Sequence, residues 1–175
     1  MSTTAVPTSP SAPSEFIGRP HDFDFFVGRW HVSDRRLRQR HVGSDDWDTC
    51  EHLCQAWSLL DGRISVDDND FESRGFRGCT FRTLEVATQQ WAIYWVNDRD
   101  GLLQPPVRGG WNGDRGEFHG DDLDEGRPVH VRFVWERLAT HRARWSQDFA
   151  LIGEGSGRNP AWERNWVMDL TRIRD

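Results

Sequence analysis

Residues Phe23 to Val32 read F-D-F-F-V-G-R-W-H-V, and this stretch decides the fold. An aromatic turn runs into a glycine, and Gly28-Arg29-Trp30 opens a strand. In a small antiparallel barrel such a segment closes the floor. The aromatics plug one end, the glycine lets the backbone bend sharply, and the tryptophan points inward beneath the interior.

Downstream of this opening the chain alternates at period two. Val27 to Gln39 is predicted as the first strand, with Trp30, Val32, Asp34 and Arg36 on one face. Trp47 to Leu59 is a second strand with poor alternation. Asp61-Gly62 is a hairpin signal, Arg63 to Val66 a short third strand, and Asp67 to Ser73 an acidic loop. Phe76 to Leu84 and Trp91 to Asp98 form the clearest pair. Counting outward from their turn sets Arg82 near Ile93, Thr80 near Trp95 and Gly78 near Asn97. Val107 to Trp111 and Gly116 to Asp121 flank an Asn112-Gly113-Asp114 turn. Pro128 to Glu136 and Arg144 to Leu151 follow, then a loop from Gly153 to Pro160. A last strand, Ala161 to Thr171, is expected to carry Trp162, Arg164, Trp166, Met168 and Leu170 on one face. About ten short strands with tight turns and no long helix predict an all-β, up-and-down antiparallel barrel. Residues 1–20, rich in Ser, Thr, Pro and Ala, read as a disordered arm, and 21–175 as a single barrel domain.

The 175 residues suffice for one domain with a real core. A net charge of -6 argues against a nucleic-acid or anionic-membrane surface. No apolar run approaches the roughly 20 residues of a membrane-spanning helix. With neither a basic n-region nor an apolar h-region at the start, a cytoplasmic protein is expected. All 22 Lys+Arg residues are arginines, so side-chain Schiff-base chemistry has no lysine to use. Three cysteines, an odd number, argue against a disulfide framework. The 10 tryptophans exceed what packing one domain ordinarily takes, and some are expected to line a cavity for a planar organic molecule.

Taken together, F-D-F-F-V-G-R-W, R-G-C-T-F-R, W-A-I-Y-W-V-N, G-E-F-H-G-D-D, V-R-F-V-W, R-W-S-Q-D-F and E-R-N-W-V-M-D resemble an uncharacterised bacterial family of lipocalin-like (calycin-type) β-barrels, a domain of unknown function. The resemblance spans Asp22 to Arg172. It implies a meandering antiparallel barrel with an internal cavity and carries over no activity. It also implies a late arginine, Arg172 or Arg174, laid over the floor tryptophan Trp30, a cation–π contact worth about 0.5–2 kcal/mol.

The expected lumen holds Trp30, Trp95, Trp135, Trp145 and Trp166 with Arg36, Arg82, Asn97 and Gln147, and these are the candidate ligand-binding residues. Asp34 and Arg164 are assigned to the same faces. A buried arginine must be paired, and Asp34 or a ligand carboxylate or enolate is the expected partner. On the opposite faces Tyr94, His130, Arg132, Glu163 and Asn165 offer an alternative cluster, in which His130 and Glu163 would move a proton. Cys50-x-His52-x-Cys54 has neighbours about 7 Å apart on one strand face, too far apart to wrap one zinc ion. The acidic loop lacks the spacing of a calcium loop. There is no nucleophile elbow, Walker A loop or dinucleotide fingerprint.

The sequence therefore predicts binding of a small apolar molecule, aromatic or polycyclic, in a Trp-lined cavity. Arg82 and Arg36 would hold its acidic or carbonyl group, and Asn97 and Gln147 would orient it. No metal, cofactor, nucleic-acid or membrane partner is expected, and a homodimer is left open. The alternative is a cofactor-independent cyclase, isomerase or dehydratase, with Arg82 stabilising an oxyanion and Asp34, His130 or Glu163 as catalytic candidates. A third reading is a packed assembly domain with no cavity.

Overall fold

The structure, a computed structural model, describes residues 12–153 and 160–174. Among these residues there are ten strands and no α-helix: β1 (Gly28–Leu37), β2 (Trp47–Leu59), β3 (Ile64–Phe71), β4 (Phe76–Glu85), β5 (Gln90–Asn97), β6 (Val107–Asn112), β7 (Arg115–Asp124), β8 (Arg127–Ala139), β9 (Arg142–Leu151) and β10 (Glu163–Arg172). Each pairs antiparallel with its chain neighbours. β10 pairs back onto β1, from Trp30 opposite Arg172 to Arg36 opposite Trp166, and closes the barrel. Closure leaves no unpaired sheet edge.

Strand alternation places the core. On β1, Trp30, Val32 and Asp34 are buried while His31, Ser33 and Arg35 are exposed. The β4–β5 register matches the sequence expectation: Arg82 faces Ile93, Thr80 faces Trp95 and Gly78 faces Asn97.

The floor is built from the opening motif. A 3-10 turn, Asp24–Phe26, tucks Phe26 into the barrel end. Phe23 meets Trp91 and Trp111 edge-on, at centroid distances of 5.0 and 5.3 Å. Trp30 is 0% exposed and donates its indole N–H to the Phe26 carbonyl at 2.8 Å. Gly28 turns the chain at φ +117°, and a Cβ there would lie 2.8 Å from Nη1 of Arg172. That guanidinium sits 4.3 Å over the Trp30 ring and donates to the carbonyls of Val27 and Phe25. Arg172, not Arg174, is the late arginine that covers the floor.

Three expectations need correction. The acidic stretch 67–71 is strand: β3 runs to Phe71, with Ser65, Asp67, Asn69 and Phe71 buried on its inner face. Charge in this segment reads as solvation only until its buried partners on other strands are seen. On β10 a bulge between Arg164 and Trp166 shifts the register by one residue. Trp166, Met168 and Leu170 keep the inner face. Arg164 faces outward and binds Asp148, and Trp162 packs against His119 and Arg132.

The end of the arm belongs to the barrel. Phe16 is buried, and Ile17 exchanges backbone hydrogen bonds with Trp111 at 3.2 and 3.1 Å. Gly18 N–H donates to Gln89 O at 2.7 Å. β5 and β6 share only three register pairs, Trp91–Gly109 to Ile93–Val107, and residues 16–18 fill the gap beyond them. Residues 1–11 of the expected arm, and most of the loop from Gly153 to Pro160, lie outside the described residues.

Candidate functional site

Above the floor the barrel encloses a cavity of about 110 Å³. Strand alternation supplies its apolar wall: Trp95 from β5, Phe133 and Trp135 from β8, Trp145 from β9, and Trp166 and Met168 from β10. The indoles stand nearly perpendicular. Trp95 and Trp166 meet at 83° and 6.2 Å, and Trp145 and Trp166 at 86° and 5.4 Å. Edge-to-face contact suits the ring quadrupoles and fixes the shape of the wall. Gly78 makes room for Trp95, because a Cβ there would fall 2.0 Å from the indole ring.

The opposite wall is polar. Asp67, Asn69, Thr80 and Arg82 face the cavity from β3 and β4, and Gln147 faces them from β9, on the tryptophan side. Arg82 is 3% exposed and Asp67 1% exposed. Arg82 Nη2 donates to Asp67 Oδ2, Asn69 Nδ2 donates to Asp67 Oδ1, and Arg82 Nη1 reaches Ser65 Oγ at 3.3 Å. Phe23, Phe26 and Trp135 pack around the guanidinium at 5.0, 5.3 and 5.6 Å. Arg82 Nε–H has no hydrogen-bond partner among the described residues. The chain of polar groups continues outward from the cavity, where His52 bonds the Asn69 carbonyl oxygen at 3.2 Å. Burial pushes the His52 pKa down and keeps the ring neutral.

Two connections frame the other end of the barrel. Residues 98–106 place Gln104 and Pro105 on the cavity. Residues 38–46 reach across the strand order from β1 to β7. Arg40 donates to both oxygens of Asp124 at 2.9 Å, and His41 bonds the same carboxylate at 2.9 Å. The His41 ring stacks on Phe149, and its backbone N–H donates to Glu163 at 2.8 Å. Burial opposes ionisation of Asp124, but the hydrogen bonds and charges of Arg40 and His41 outweigh it and hold the carboxyl below its ordinary value.

Of the candidate ligand residues, Trp95, Trp135, Trp145, Trp166, Arg82 and Gln147 share the cavity wall. Trp30 lies beneath Phe26 in the floor, one layer too deep to touch the cavity. Asn97 ends β5, where its side chain accepts the Arg99 N–H at 3.0 Å. Arg36 lies 4.5 Å over the Trp166 ring and does not form part of the wall. Burial, then the like charges of Arg40 and Arg74, lowers its pKa.

The catalytic candidates other than Arg82 are engaged elsewhere. Asp34, 1% exposed, receives the Trp166 indole N–H at 2.5 Å and Arg74 Nη1 at 2.6 Å. It is therefore not the partner of Arg82. His130 pairs with Asp121 at 2.6 Å, while Glu163 caps His41, so the two do not act as one acid–base pair. Arg132 turns outward to Asp148, whereas the bulge aims Asn165 at Gln147, whose Nε2 donates to its Oδ1 at 2.8 Å. The three cysteines are free. Cys50 lies 3.8 Å from Asp34, and burial raises its thiol pKa. Among the described residues no group of three or more His, Cys, Asp or Glu side chains is placed to hold a metal ion.

Sequence reasoning missed Asp67, Asn69 and Arg74. The signal for the first two is the continued alternation of Ser65, Asp67, Asn69 and Phe71 after Ile64. Arg74 leaves no comparable signal, because its partners Asp34 and Asp48 are distant in the chain. No helix among the described residues is long and apolar enough to cross a membrane. The sequence matches no protein-family model and no curated protein.

Proposed function

We propose that this barrel binds a small organic molecule, one aromatic ring in size, in the tryptophan-walled cavity. The observation that carries the reading is the cavity itself, walled by Trp95, Trp135, Trp145 and Trp166 and faced by the buried Arg82–Asp67 pair. Size narrows the class. The cavity of 110 Å³ is nearer the roughly 150 Å³ of a benzene-holding cavity than the 300–1,000 Å³ of drug-sized sites. A polycyclic ligand needs more room than this.

Binding is preferred to catalysis because none of Asp34, His130 and Glu163 lines the cavity. The packed assembly reading expects no cavity. Kinship with bacterial lipocalin-like, calycin-type barrels and a cytoplasmic location complete the proposal; closed antiparallel topology and the arginine over Trp30 support the former.

Native mass spectrometry of the purified protein, followed by solvent extraction, tests the reading. It predicts a reproducible bound molecule of one-ring size, or quenching of tryptophan fluorescence by members of a library of one-ring aromatics. An empty protein with unchanged fluorescence across the library overturns it.

A further inference from the structure

Resting on that binding reading, we infer that Asp67 sets the charge preference of the cavity, so that the site takes an uncharged ligand carrying both a hydrogen-bond acceptor and a donor. The expectation from sequence left open an acidic or a carbonyl group at Arg82, and Asp67 argues for the uncharged one. A carboxylate ligand would need Arg82 to be a free cation. Its charge is instead already matched by Asp67, and both groups are almost completely buried.

The rest of the wall points the same way. Among the described residues that line the cavity Arg82 is the one cationic side chain, whereas Asp67 and Asp122 are carboxylates, and Asp121 is a third that pairs with His130. An incoming carboxylate must shed its water and then approach Asp67 as closely as it approaches Arg82. The repulsion between these like charges offsets the attraction of the guanidinium.

A neutral group meets no such penalty. Its oxygen can approach the positive side of the Arg82–Asp67 pair from the cavity. Its own N–H or O–H finds an acceptor across the cavity, on β9. Gln147 donates its amide N–H to Asn165, which orients that amide and leaves its carbonyl oxygen as an acceptor. A primary carboxamide or a ring hydroxyl on a single aromatic ring has this pairing of groups.

Benzamide and benzoate are matched in shape and differ in charge, so they are the probes. Calorimetric titration of the full chain at pH 7.5 is predicted to give benzamide at least about tenfold tighter binding than benzoate. In Asp67→Asn the carboxylate is gone and Arg82 is uncompensated, and the preference is predicted to invert. That variant carries a buried unpaired charge and risks unfolding. A measurement on the unaltered protein avoids the problem. At pH 5.5 benzoate binding is predicted to take up about one proton per molecule, because the neutral acid is the form selected. Tighter binding of benzoate than benzamide, with no proton uptake, overturns the charge-preference inference and leaves the binding reading standing. Failure of both probes to bind overturns the binding reading as well.

Discussion

The Trp166 indole N–H donates to the carboxylate of Asp34 at 2.5 Å, and the other oxygen of that carboxylate holds Arg74 at 2.6 Å. One buried acid therefore anchors a cavity-wall tryptophan on β10 to a turn between β3 and β4. Asp34 is not part of the cavity wall. Its work is to hold the wall in place.

Asp34→Asn keeps a group that can accept the indole N–H but leaves Arg74 with Asp48 as its remaining carboxylate partner among the described residues. The expected loss of stability is about 2 kcal/mol, the scale of one charge-assisted hydrogen bond, read from urea denaturation. The folded variant should bind benzamide within threefold of the parent. A hundredfold loss of turnover on a discovered substrate, with binding unchanged, would return Asp34 to a catalytic role.

Gly78→Ala tests the tryptophan wall. The added methyl would overlap the Trp95 ring, so the indole must swing toward the cavity. The backbone there is ordinary strand, and overpacking of this kind costs about 1–3 kcal/mol. A fall of tenfold or more in benzamide affinity is expected from calorimetry, with the barrel still folded by circular dichroism. Unchanged affinity would place the ligand away from Trp95.

The crossing of residues 38–46 depends on Asp124 being ionised. Its pKa is lower in the folded than in the unfolded protein, where about 3.9 is ordinary. The contribution is therefore complete above that unfolded value and is lost as pH falls through the still lower folded value. The protection factor of the His41 amide, its exchange rate measured against the unstructured rate at the same pH, should fall at low pH. In Asp124→Asn the same exchange should already be fast at pH 7. Equal protection in parent and variant at pH 7 would show that Asp124 does not hold this segment.

Much of the barrel is legible in the chain because its signals are local. The turn at residues 86–89 fixes the β4–β5 register, and that register carries Arg82 and Trp95 to one face. Phe23 to Trp30 spells the floor. What the chain hides is whatever a distant strand decides. Asp67 and Asn69 look solvated until Arg82 and His52 are brought beside them. The one-residue bulge near Asn165 cannot be counted from alternation, so Arg164 is assigned inward when it lies outside. The pairing of Arg40 with Asp124, 84 positions apart, leaves no periodic trace.

The most direct test of the account is a crystal of the protein soaked with 4-bromobenzamide, its bromine located by anomalous scattering. The account predicts a bromine peak inside the barrel, within contact of Trp95, Trp145 or Trp166, with the carboxamide toward the side of the cavity lined by Arg82 and Asp67. A saturated soak with bromine only on the outer surface, or with the barrel interior unchanged, would contradict it.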